Sequence, residues 1–167
     1  RRRHTRFRNV TGVQTCALPI SAEGNQESRW IIKQVLEAGA MGVIVPHVDN
    51  AAQARAIVPS MRFAQPLGSK YYEPRGWRGC CTSPANWMLK DPRIYWDGKG
   101  DLWPVNPDGE LFLLLMIEGS EGLQNLNAIL NTPGVSGLIV GPADMNADLG
   151  EGISTPRGPR TEESIRK

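Results

Sequence analysis

The sequence predicts an α/β fold built on a parallel sheet. Three apolar runs of strand length, residues 42–48, 110–119 and 135–140, are nearly unbroken rather than alternating. Such runs read as strands buried on both faces. Helical patterns stand before, between and after them, an order that goes with parallel strands joined by crossover helices. No Gly-rich GxGxxG turn follows any of the three strands, so nothing points to a dinucleotide fold.

Residues 1–20 stand apart from this pattern. They hold Arg1, Arg2, Arg3, Arg6 and Arg8, lack a starting Met and show neither helical nor strand period. They are similar to translated sequencing-adapter sequence, and are expected to be an anomalous arm not native to the fold, which then comprises residues 21–167. The alternative is a genuine disordered basic arm. Within the fold, Asn25 and Ser28 are candidate helix caps, and Ile31, Ile32, Val35 and Leu36 recur at helical spacing until Gly39 stops the run. After the first strand, Asp49 or Asn50 can cap a helix over residues 51–61, which Pro59 is expected to end or kink.

Residues 63–109 are dense in Pro, Gly, Tyr and Trp and have no clear period. A stretch this long is expected to be a functional or interface excursion rather than a plain connection. Its aromatics Tyr71, Tyr72, Trp77, Trp87 and Trp96 are suited to covering a subunit surface or closing an active site. The second strand follows and ends in a carboxylate. Ser120 is expected to cap the next helix, which carries Leu123, Leu126, Ile129 and Leu130 on one face and is broken by Pro133-Gly134. The third strand leads into Gly-Pro-Ala-Asp-Met, and a last helix is expected to begin near Thr161.

Composition narrows the function classes. The chain is 40% hydrophobic and 22% charged, which fits a soluble globular domain. Its net charge of +2 comes from the arm: without those five arginines, 19 basic residues fall to 14 against 17 acids. The body has no basic stripe, so nucleic acid is not an expected partner. No window approaches ~18 uninterrupted apolar residues, so no membrane span is expected. Cys16, Cys80 and Cys81 make no disulfide framework, and a reducing, cytoplasmic setting is expected.

The main chemical signal is a pair of acids in equivalent places. Glu118 ends the second strand, and Asp144 lies just past the third, in Gly141-Pro142-Ala143-Asp144. One helix joins the two strands, so in a βαβ unit both acids belong to the C-terminal rim, where α/β enzymes place their sites. Two carboxylates on one rim repel each other unless a cation joins them, and an oxygen-only ligand set favours Mg²⁺ or Mn²⁺. The plainer alternative is that each acid caps a helix or faces water. The Gly141-Pro142 turn can also bring the Ala143 and Asp144 N–H groups close to an anion.

The segments IIKQVLEAGAMGVIVPHVDNAAQAR and FLLLMIEGSEGLQNLNAILNTPGVSGLIVGPADMNADLG together resemble the HpcH/HpaI aldolase/citrate lyase family. The pattern is a strand ending in Ile-Glu, a Gly-Leu-x-Asn-Leu helix, then Pro-Gly-Val-x-Gly and Gly-Pro-x-Asp, and the likeness covers most of residues 24–152. The resemblance implies an incomplete (β/α)₈ barrel, roughly units 4 to 6, with the aromatic excursion inserted. It implies a divalent metal, Mg²⁺ or Mn²⁺, on Glu118 and Asp144, and a 2-oxo acid substrate held at Gly141, Pro142, Ala143 and Asp144. The implied reaction is reversible aldol cleavage of a 4-hydroxy-2-oxo acid to pyruvate and an aldehyde. A homo-oligomer is implied for the full-length family member.

The chain also departs from the family pattern. The family's catalytic histidine and substrate arginine lie upstream of Ser21 in register, where this chain has the arm, around Ala17–Ile20, with no arginine. His4 is not accepted as a base, and no catalytic residue is retained. The seventh and eighth barrel units have no counterpart, and Met116 stands where some members have glutamine. Turnover is therefore expected to be impaired. An acyl-CoA lyase of the citrate-lyase branch and a non-enzymatic assembly module are the alternatives.

The remaining candidates read more simply as structure. His47 follows a strand and could face the rim, but no acid near it in sequence orients it, so a packing or helix-entry role is expected. Arg62, Arg75 and Arg78 could steer an anion and are expected instead to make loop or interface hydrogen bonds. Cys80 and Cys81 lack a Cys/His arrangement and are expected to be inert thiols, and Trp87-Met88-Leu89 to be packing.

Overall fold

The computed structural model describes residues 29–79, 98–152 and 158–166. The arm, Asn25, Ser28, Cys80, Cys81, Trp87-Met88-Leu89 and Trp96 lie outside them. The described order is α1 (Arg29–Glu37), β1 (Gly42–Val45), α2 (Ala51–Met61), β2 (Leu102–Trp103), β3 (Leu111–Ile117), α3 (Ser120–Gln124), α4 (Leu126–Leu130), β4 (Gly137–Val140), α5 (Pro142–Asp148) and α6 (Pro159–Arg166). All three strand pairings are parallel, as the alternation of apolar runs and helices implies.

Strand β3 is the centre of the sheet. Along one side it pairs with β1, from Gly42↔Phe112 to Val45↔Leu115. Along the other it pairs first with β2, at Leu102↔Leu111, and then with β4, up to Ile117↔Val140. Strand β2 was not expected. Part of the excursion joins the sheet, and Arg62 anchors it: the guanidinium binds Asp101 through Nε (2.7 Å) and Nη2 (2.8 Å) and donates to the carbonyls of Tyr71 and Pro74. Arg78 is buried too, against Glu37 (3.2 Å) and the face of Phe63 (4.0 Å). Both arginines thus hold the loop, as expected, and Arg75 stays exposed beside Tyr72.

Among the described residues, helices cover the sheet on one face. Leu111, Leu113, Leu115 and Ile117 of β3 are sealed under α1, α2, α4 and α5, packed with Ile32, Leu36, Ala54, Val58, Ile129 and Met145. The intervening residues of β3 show more surface, and Phe112 is 45% exposed. Side chains alternate along a strand, so an unbroken apolar run supplies two apolar faces, and the described helices cover only one of them.

Helix ends differ from expectation in instructive ways. Asn50 caps α2 through a capping box with Gln53. Pro59 lies in the last turn of α2, where it cannot donate to the helical ladder, and the helix ends two residues later at Met61. Ser120 is not the cap of α3: Gly119 occupies that position, and the Ser120 N–H is bound by Asp148 from α5 (2.7 Å). The expected single helix after β3 is two short ones, joined at Asn125. The last helix starts at Pro159, close to the expected Thr161. No helix among the described residues is long and apolar enough to cross a membrane.

Candidate metal centre

Register brings the two sequence-predicted acids together. Glu118 directly follows β3, and Gly141 directly follows β4 one step beyond the Ile117↔Val140 pair. Pro142 takes the first position of α5, where its fixed φ suits a helix start and its missing N–H is not needed. Asp144 is then in the first turn of α5. Met145 N donates to Gly141 O (3.1 Å), so the Ala143 and Asp144 N–H groups stand ahead of the helical ladder, on the same rim.

The environment of the two acids is unequal. Glu118 is 6% exposed and Asp144 55%. Burial holds the Glu118 carboxyl above the usual carboxylate range, and its hydrogen bond to the Asp144 carboxyl pushes the same way, while the His47 N–H and imidazole oppose them. Glycine is needed at position 141: a methyl group there would lie 2.6 Å from both Cγ and Oε2 of Glu118.

The third member is His47, which sequence reasoning assigned to packing. Two residues past β1, it takes φ 53°, and its N–H donates to Glu118 Oε1 (3.1 Å). Its ring nitrogens lie 3.9 Å from Glu118 Oε1 (Nδ1) and 3.8 Å from Asp144 Oδ2 (Nε2). One ligating atom from each of His47, Glu118 and Asp144 falls within 4.8 Å of the others. Ligands around a small divalent ion sit ~2.1 Å from it, so about 3 Å apart at right angles and ~4 Å apart across the ion. The donor types suit one divalent cation, whose binding would draw the three atoms within about 4 Å of one another, and a cation would offset the charge that burial and the Asp144 carboxyl disfavour on Glu118.

The family model for HpcH/HpaI aldolase/citrate lyase matches residues 21–166. A 2-keto-3-deoxy-L-rhamnonate aldolase of Klebsiella pneumoniae is 38% identical over 128 residues, which are 77% of this chain and 41% of that protein. An HpcH/HpaI aldolase/citrate lyase family protein from Burkholderia cenocepacia superposes with a TM-score of 0.62 at 29% identity, covering 83% of this chain and 48% of the other. The HpcH/HpaI aldolase of Desulfitobacterium hafniense gives a TM-score of 0.58 at 27% identity, with 83% and 47% covered. The chain thus spans about 40% of the length of the curated relatives it matches.

Proposed function

This chain belongs to the HpcH/HpaI aldolase/citrate lyase family, and from that premise we propose that it forms the metal-binding part of a lyase that cleaves a 4-hydroxy-2-oxo acid reversibly to pyruvate and an aldehyde. The observation that carries the reading is the convergence of Glu118 and Asp144 on one strand-end rim, with an imidazole beside both. A divalent cation held by Glu118 and Asp144, Mg²⁺ or Mn²⁺, supplies a Lewis acid to the oxygens of a 2-oxo acid.

The chain's own residues prepare that site. Glu118 is oriented by the His47 N–H and sits in space that Gly141 leaves open. The Ala143 and Asp144 N–H groups at the start of α5 are donors for the substrate carboxylate. The sheet is read as part of a (β/α)₈ barrel, roughly units 4 to 6. Half-exposed Phe112 and its neighbours on that face of β3 support this, because barrel interiors are filled by side chains from several strands.

The test uses the purified chain loaded with Mn²⁺ and titrated with pyruvate. Bound Mn²⁺ accelerates relaxation of the pyruvate methyl protons when pyruvate occupies the site, and EDTA should abolish the effect. Pyruvate relaxing no faster than with free Mn²⁺ at the same concentration would contradict the reading. A parallel assay of pyruvate release from a 4-hydroxy-2-oxo acid should show slow, metal-dependent turnover, and turnover unaffected by EDTA would count against a metal lyase.

A further inference from the structure

His47 has three features that packing does not require. Its backbone takes φ 53°, a region that non-glycine residues enter at a cost. Its side chain is 44% exposed, so burial does not explain the position. Its two nitrogens face two different carboxylates, at 3.9 and 3.8 Å. Neither distance is a hydrogen bond, and one of the two nitrogens stands within 4.8 Å of a donor oxygen of each carboxylate, near enough to share a single ion with them.

The surroundings lock this geometry. Val48 N donates to Met116 O (3.3 Å), the Asn125 side chain donates to Asp49 O (2.8 Å), and the capping box of α2 begins at Asn50. The strained residue is therefore flanked by fixed ones, and its N–H and its ring are both turned toward Glu118.

We propose that His47 is a third protein ligand of the metal, so that the centre is a site of one nitrogen and two carboxylates. This rests on the reading of Glu118 and Asp144 as ligands. The consequence is selectivity. Oxygen-only sites suit Mg²⁺, whereas an imidazole raises affinity along the first-row order, with Co²⁺ above Mn²⁺, and both gain over Mg²⁺. His47→Asn is the first variant, because asparagine tolerates the left-handed backbone and so keeps the N–H bond to Glu118. His47→Gly is the second, because it removes every side-chain donor while accepting the same φ.

The experiment is pulsed EPR on the Mn²⁺-loaded chain, with calorimetric titrations of Mg²⁺, Mn²⁺ and Co²⁺. The wild-type chain should show nitrogen coupling from a directly bound imidazole, shifted by ¹⁵N-histidine labelling and absent in both His47 variants. Loss of an outer-sphere partner costs metal sites about 10–100-fold, so loss of a direct ligand should lower Co²⁺ affinity by at least ~10-fold, and Mg²⁺ affinity by less. Nitrogen-free spectra from a wild-type chain whose binding still needs Glu118 and Asp144 would overturn the His47 assignment and leave the proposed function standing. Mn²⁺ binding unaffected by Glu118→Ala or Asp144→Ala would overturn both.

Discussion

Glu118 concentrates the cost of the site in one carboxyl. It is buried, it faces a second carboxylate, and the space for it exists only because position 141 has no side chain. Gly141→Ala is therefore expected to displace the Glu118 carboxylate without breaking the sheet, since Gly141 lies just outside β4. Mn²⁺ affinity should fall about 10-fold or more, the scale set by misorienting a ligand, with an unchanged far-UV CD spectrum. Wild-type affinity in this variant would show that Glu118 is not held there by the glycine. The strand-end positions of Glu118 and Asp144 are legible in the sequence because both follow apolar runs, and strand ends are local signals. His47 is not, because its partner Glu118 is 71 residues away and only the β1–β3 register brings the two together. No acid stands near His47 in sequence to mark it.

Helix ends show a similar division at the scale of elements. The capping box of α2 is local, Asn50 with Gln53, and Asn50→Ala should cost about 1 kcal/mol in chemical denaturation. The start of α3 is capped from a distance instead. Asp148 accepts the Ser120 N–H, and that bond holds its carboxyl below the usual range. A depressed carboxyl adds stability above its unfolded-state pKa and loses it as pH falls through the folded value. Wild type should thus be more stable than Asp148→Ala near neutrality, with the gap closing on acidification below about pH 4. A gap independent of pH would mean that the charge is not involved. Strands β1, β3 and β4 are legible from their unbroken apolar runs, and the longer helices from their periodicity. Strand β2 is not, because two residues carry no period and Leu102 becomes strand only by pairing with Leu111.

At the scale of the molecule, the sheet has one sealed face and one partly open face. Truncating the sealed face should cost what core cavities cost: Leu113→Ala is expected to lose about 2–5 kcal/mol. Phe112→Ala, on the open face, should lose clearly less, although it removes a larger side chain. Equal losses in thermal or urea unfolding would mean that something covers Phe112. An unbroken apolar run implies burial on both faces, because it does not reveal which of them the available helices cover. The α/β class with its parallel sheet is legible, and so is the rim on which the acids lie. Everything proposed for this chain rests on that rim holding a divalent ion. The most direct measurement is Mn²⁺ titration, followed by EPR, of the wild-type chain beside Glu118→Ala and Asp144→Ala. The wild-type chain should bind one Mn²⁺ per chain, and each variant should lose binding while remaining folded. Binding in either variant equal to wild type would contradict the metal centre.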